Sequence, residues 1–357
     1  MRYLLFFSLL FLLFLGCTQT QYSISNHPNQ TNNTLIQETS VRSFYLGVVP
    51  TPKSFPETTF DDITAAYEES GELGEVMMLW SSPSGIGQCE KLRQNRAVEG
   101  ARVYGLEPII TVTFFTIAEV QGEGLKIVVD APEGINANIS NSEFRRLWVE
   151  EVKNIAQEFK PKYISLGNEI NSYFYYHPED LDPYLSLYDE AYAEIKHVSP
   201  DTKVFVVFSY NQMIENDQFY LLGEFDGRSD LIGLTTYPWH EFDSPADIPY
   251  NYYSRLSGYT TKPVAFTEIG WPSTSEAGSS EDEQVEFLER FLELTDDNDV
   301  EMINWLFLHE MKLKGTMADI SKEETGTISL KYVDGTKKKI YAAWEELGNY
   351  VLVVPGQ

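Results

Sequence analysis

From Phe44 onward the chain alternates short apolar runs with amphipathic stretches. Eight runs stand out: Tyr45–Val49, Glu75–Trp80, Pro108–Thr113, Tyr163–Gly167, Val204–Ser209, Leu231–Tyr237, Val264–Thr267 and Met302–Leu308. Most are rich in Val, Ile, Phe and Leu, as strands covered on both faces must be. Between them the period changes. In Asn141–Phe159 the residues Phe144, Leu147, Trp148, Val152 and Ile155 fall at helical spacing, and Leu181–Val198 and Ser279–Leu294 repeat the pattern. The last of these opens Ser-Ser-Glu-Asp-Glu, with acids where a helix N-terminus favours them.

Strand–helix alternation implies parallel strands joined by crossover helices. Eight rounds predict an α/β fold closed into a (β/α)8 TIM barrel, a single catalytic domain over residues 44–357. The chain of 357 residues is long enough, since such barrels take roughly 250. An open doubly wound sheet would more often begin with a Gly-rich phosphate loop, and Gly85-Ile86-Gly87 is too short a match.

The N-terminus reads as a targeting segment. Arg2 is followed by a nearly unbroken apolar run, Leu4–Leu15, too short to span a bilayer comfortably, and then by Gly16 and Cys17. A cysteine behind a small residue at the end of such a run resembles the lipobox of prokaryotic lipoproteins. That resemblance implies a signal peptide over residues 1–16, cleavage before Cys17 and a lipid on its sulfur. The alternatives are a plain signal peptide or an uncleaved anchor. Residues 17–43 are rich in Gln, Asn, Thr and Ser and read as a flexible polar tether with a reach of roughly 25–30 Å. The expected location is the cell surface or outside, lipid-anchored to the membrane. Of the two cysteines only Cys89 remains, and it reads as a buried helix residue.

Composition narrows the partners. A net charge of −28 disfavours nucleic acid and leaves membrane contact to the N-terminal lipid alone. It also disfavours an anionic polymer and fits a neutral glycan, although it serves equally as a solubility device. The aromatic share of 14% is high; it suits either a core or a cleft that stacks sugar rings.

Chemistry in a barrel of this kind sits at the C-terminal ends of the strands. Glu169, in KYISLGNEIN, follows the fourth run, and Glu268, in PVAFTEIGWPS, ends the seventh. Strands four and seven face each other across the mouth. Two carboxyls about 5–5.5 Å apart are what a retaining glycosidase needs: one neutral acid for the leaving oxygen, one ionised nucleophile. Asn168 can donate to a sugar hydroxyl. Tyr237, ending the sixth run, is placed to hydrogen-bond Glu268. Trp305, Trp271, Trp80 and Tyr173 are candidates for sugar contact, each with a buried core position as the competing reading. Tyr173 belongs to Tyr173–His177, read as an exposed aromatic loop, part of it a sugar platform. The five histidines are scattered without metal-ligand spacing, and no Gly-x-Ser-x-Gly nucleophile elbow occurs. No metal or cofactor is called for.

Asn168-Glu169 after strand four and Glu268 ending strand seven resemble clan A of the glycoside hydrolases. The resemblance implies a retaining mechanism on a (β/α)8 barrel, with Glu169 as acid/base and Glu268 as nucleophile. The stretch Gly326–Leu347 is similar to the clan's usual end, leading into a last helix. Within the clan, Gly167–Asn171 is similar to the endo-1,4-β-galactanases, and Thr267–Ser273 to both those and the 1,3-β-glucanases. Galactanases carry an Arg on strand two; here Met78, Leu79 and Trp80 stand there. The function expected is hydrolysis of a neutral β-linked poly- or oligosaccharide by double displacement. A surface lipoprotein that only binds glycan, and a transglycosylase that remodels it, are the alternatives.

Overall fold

The computed structural model of the protein describes residues 40–79, 84–120, 122–312 and 323–353. The expected signal peptide, Cys17, most of the tether and Trp80 lie outside them. The tether reading reaches too far at its C-terminal end. Val41–Arg42 forms a short parallel pair with Val351–Leu352, and Arg42 is buried against Glu75, so the folded body already includes these residues.

Each of the eight apolar runs overlaps a strand. The barrel strands are Tyr45–Val48, Val76–Leu79, Glu107–Thr111, Tyr163–Ser165, a fifth in two pieces, Ile232–Thr236, Val264–Ile269 and Val300–Trp305. The two pieces, Lys203–Phe205 and Val207–Ser209, flank Val206 and end the sheet on opposite sides. The first piece pairs with the fourth strand and the second with the sixth, all parallel, so the sheet returns on itself through one interrupted strand. This is a closed eight-stranded barrel. Burial on both faces explains the apolar runs: Ile232–Thr236 and Val264–Ile269 are buried at every position.

The helices follow their sequence signals closely. Asn141 Oδ1 accepts the free N–H groups of Glu143 and Phe144 and so starts the helix Ser142–Phe159. That helix buries Phe144, Trp148, Val152 and Ile155, each worth roughly 1.5–3 kcal/mol of transfer free energy. It stops at Lys160, which turns into the left-handed region at φ 43°. Ser280 caps Glu281–Thr295 in the same way, with three acids in the first turn. Leu181–Val198 and the closing helix Lys339–Gly348 complete the pattern. Cys89 is buried in the helix Gln88–Asn95.

Two features had no clear sequence signal. An antiparallel hairpin, Phe115–Val120 with Gly124–Val129, is inserted after the third strand. The aromatic run behind Glu169 is not a loop. It forms the helix Ile170–Tyr176, which turns Tyr173 and Phe174 inward and leaves Tyr175 and Tyr176 exposed.

Gly47 on the first strand lies opposite Asn304 on the eighth. A methyl group there would come within 1.9 Å of Asn304 Oδ1 and 2.5 Å of the Val76 carbonyl oxygen. Since the backbone carbonyl cannot move aside, Gly47→Ala is expected to cost about 1–3 kcal/mol. The readout is the urea midpoint; a midpoint equal to wild type would refute the crowding.

Candidate active site

Glu169 stands at the point where the fourth strand becomes a helix. Gly167 has φ 124°, and Glu169 itself has φ 51°, a left-handed conformation that a glutamate rarely adopts. Strain of this kind persists where the surroundings impose it, most often at functional sites. The turn buries Glu169 completely and brings its Oε1 to the Thr235 hydroxyl on the sixth strand, which donates at 2.5 Å. Its other oxygen, Oε2, is buried with no hydrogen-bond partner among the described residues.

Glu268 reaches the same space by a different route. On the seventh strand, Phe266 faces outward, with its ring 4.8 Å from Phe291 of the helix layer. Strict alternation would send Glu268 outward as well. The pairing with the sixth strand slips instead: Leu234 lies opposite Phe266, but Thr235 lies opposite Glu268. Thr267 is the extra residue of a β-bulge, and the bulge turns Glu268 to the inner face beside Thr235. Tyr237, two residues beyond Thr235 on that face, donates its hydroxyl to Glu268 Oε2 at 2.5 Å.

Electrostatics acts strongly on Glu169. Burial, above all, and then the neighbouring Glu268 carboxylate hold the Glu169 carboxyl well above the ordinary carboxylate range; the Thr235 hydrogen bond pulls the other way and loses. Glu169 is therefore a neutral acid in the folded protein at pH values where a free glutamate has ionised. Asn168, next to it, is buried with both amide atoms unpartnered among the described residues. A buried amide without partners costs about 1–3 kcal/mol per unmet group, and a hydroxylated ligand would meet it.

The other sequence candidates divide. Trp305 does not floor the mouth. Its ring lies 5.7 Å from Trp344 and 6.2 Å from Phe287, both on outer helices, and its indole N–H donates to the Ile328 carbonyl at 2.7 Å. Alternation along the eighth strand turns the preceding Asn304, not Trp305, inward. Trp271 is likewise a core residue, stacked on Phe287 with its N–H on Ser279 Oγ. Tyr173 packs among Phe114, Phe115 and His177, its hydroxyl held by Asp180 at 2.5 Å. All three are at most 1% exposed. Trp80 lies outside the described residues.

Three further residues escaped the sequence reading. Thr235 carries the bond to Glu169. Asn304 is fully buried and, among the described residues, neither of its amide atoms has a partner. Trp239, in the turn Pro238–His240 past the sixth strand, is half-buried with its ring 3.8 Å from that of His240. The available signal was a polar residue inside an apolar run, as at Thr235 and Asn304.

The family model described as Glycosyl hydrolase family 53 matches residues 143–313, the segment that holds both carboxyls. No curated protein sequence matches the chain. Among solved structures, GH5_18 from Streptomyces cattleya in complex with GlcNAc has 15% identity and a TM-score of 0.62, over 86% of this chain and 80% of that one. The exo-β-1,4-mannosidase Op5Man5 from Opitutaceae bacterium strain TAV5 has 14% identity and a TM-score of 0.64, over 88% of this chain and 62% of that one. A β-galacturonidase of the GH2 type from Eisenbergiella tayi has 13% identity and a TM-score of 0.57, over 87% and 51%. These structures share the fold. The family match marks the chain as an O-glycosyl hydrolase on a barrel of the clan A type.

The raised Glu169 carboxyl has a consequence for stability. The unfolded chain releases this proton near the ordinary glutamate pKa of about 4.3, and the folded chain holds it to higher pH. The folded state then binds more protons, so stability falls as pH rises above that value. Glu169→Gln removes the effect. It is expected to be more stable than wild type at pH 7, with the gain vanishing below about pH 4. Urea midpoints at both pH values check this; an equal gain at both would sink it.

Proposed function

We propose that this protein is a retaining glycosidase that cuts a neutral β-linked poly- or oligosaccharide by double displacement. The observation that carries the reading is the buried Glu169 carboxyl, held well above the ordinary carboxylate range beside Glu268, whose Oε2 accepts the Tyr237 hydroxyl. A neutral Glu169 with one free oxygen suits the acid that protonates the leaving glycosidic oxygen. Glu268, turned inward by the bulge and bonded by the Tyr237 hydroxyl, suits the nucleophile that attacks the anomeric carbon. The glycosyl–Glu268 ester is then opened by water, with Glu169, now ionised, taking the water's proton. Asn168 supplies hydrogen bonds to a sugar hydroxyl, and Asn304 offers a second amide on the inner face. The half-buried Trp239–His240 pair, in the turn after Tyr237, is the aromatic candidate that takes the place of Trp305.

The sugar follows from chemistry rather than from any single likeness. The acidic chain argues for a neutral substrate, and the family 53 match and the GNEIN segment put β-1,4-galactan first in a panel with β-glucans, mannans and xylans. Glu268→Gln is expected to abolish turnover of whichever member is cut while the circular dichroism spectrum is unchanged. Glu169→Ala is expected to be slow on the polysaccharide, yet to recover with azide on a 2,4-dinitrophenyl β-glycoside and to yield the β-glycosyl azide. Full turnover by Glu268→Gln would refute the mechanism. An α-azide product would mean that azide had attacked in place of the Glu169 carboxylate itself, and would overturn its acid/base role.

The Leu4–Cys17 pattern supports attachment to the outer face of a membrane through a lipidated Cys17. Cys17→Ser is expected to lose incorporation of radiolabelled palmitate during expression in a bacterium. Undiminished labelling would place the lipid elsewhere.

A further inference from the structure

The rim of the barrel between the two carboxyl strands is extended by side chains. The second piece of the fifth strand ends at Ser209, opposite Thr235, and the chain then enters the helix Tyr210–Glu215. The sixth strand ends one residue further on, at Thr236, and Tyr237 follows it. The pairing of the fifth strand with the sixth therefore stops at Thr235, two residues short of Tyr237. Asn211, from the first turn of that helix, takes the vacant rung. Its Oδ1 accepts the Tyr237 N–H at 2.8 Å, and its Nδ2 donates to the Tyr237 carbonyl at 3.1 Å. One amide thus provides both bonds that a neighbouring strand would have made.

The same device occurs one strand earlier. Asn171, in the helix that follows Glu169, accepts the Ser209 N–H at 2.8 Å and donates to the Ser209 carbonyl at 3.1 Å. Two asparagine rungs therefore step from the acid's helix to the fifth strand, and from there to the residue that bonds Glu268. Asn211 is itself held. Its Nδ2 also donates to Glu241 Oε1 at 2.7 Å, and Glu241 accepts the Tyr252 hydroxyl at 3.1 Å.

We propose that Asn211 is a positioning residue of this site, its amide acting as a ladder rung that fixes the Tyr237 backbone and so aims the Tyr237 hydroxyl at Glu268. The inference rests on the reading of Glu268 as nucleophile. The hydroxyl lies at the far end of a long side chain, so a small rotation of the Tyr237 backbone is magnified at the carboxylate. Misplacement of a reacting group by about 1 Å can cost roughly 100-fold in rate. The rung must both accept and donate, which an amide can do and a carboxylate cannot.

The test uses the full chain and the 2,4-dinitrophenyl β-glycoside of the sugar released from the panel. Tyr237→Phe is expected to lower kcat about 100-fold, the usual cost of one donor to a developing or reacting charge. Asn211→Ala and the isosteric Asn211→Asp are each expected to lower kcat about tenfold with KM within about twofold, because the loss falls on the transition state. The double variant N211A/Y237F should be no more than about twofold slower than Tyr237→Phe alone, since both act through one hydrogen bond. Urea midpoints taken alongside confirm folded protein, and Asn211→Asp preserves side-chain volume if the alanine variant does not fold. Wild-type turnover by Asn211→Asp, or losses that multiply in the double variant, would overturn the role of Asn211 and leave the nucleophile standing. Wild-type turnover by Tyr237→Phe would overturn the donor itself, and the rung's role with it.

Discussion

Two carboxyls sharing one water-poor space cannot both carry charge without a large cost, and the site is organised around that constraint. Burial and mutual repulsion push the Glu169 proton to stay. Thr235 on the sixth strand and Tyr237 just past its end each give one hydroxyl to one carboxyl. The sixth strand is therefore the element that addresses both groups, and its position in the closed barrel sets their environment.

Reaching that arrangement needs departures from regular structure. Glu169 takes a left-handed backbone, Glu268 needs a bulge, and the fifth strand breaks at Val206. Where the fourth and fifth strands end, asparagine side chains from the helices that follow them bond the backbone of Ser209 and Tyr237 instead. The rest of the barrel is conventional enough to hold this: strands buried on both faces, helices capped by Asn141 and Ser280, and a large aromatic core. The stability available there offsets the strain at the mouth, the ordinary relation between scaffold and site.

Much of this was legible in advance. The eight apolar runs, three of the helices with their starting residues, and the strand-end positions of Glu169 and Glu268 follow from period and turn chemistry. Aromatic residues were the weak point. Trp305, Trp271 and Tyr173 have the composition of a sugar cleft, but a ring on a strand or helix faces the core or the mouth according to one residue of register. Local pattern cannot resolve that when the whole segment is apolar. The helix Ile170–Tyr176 was read as a loop because its aromatic run has no helical period. Asn211 and Thr235 were invisible for a related reason: each matters through a partner that is distant in sequence.

The amino-acid sequence by itself determined the barrel and the choice of chemistry, because hydrophobic period is a local property and the two glutamates close recognisable runs. Only the tertiary structure decided which carboxyl holds its proton, which face Glu268 presents and what bonds it. Those outcomes depend on desolvation, on a one-residue slip between neighbouring strands and on amides that arrive from the next helix. None of the three is a property of any segment taken alone.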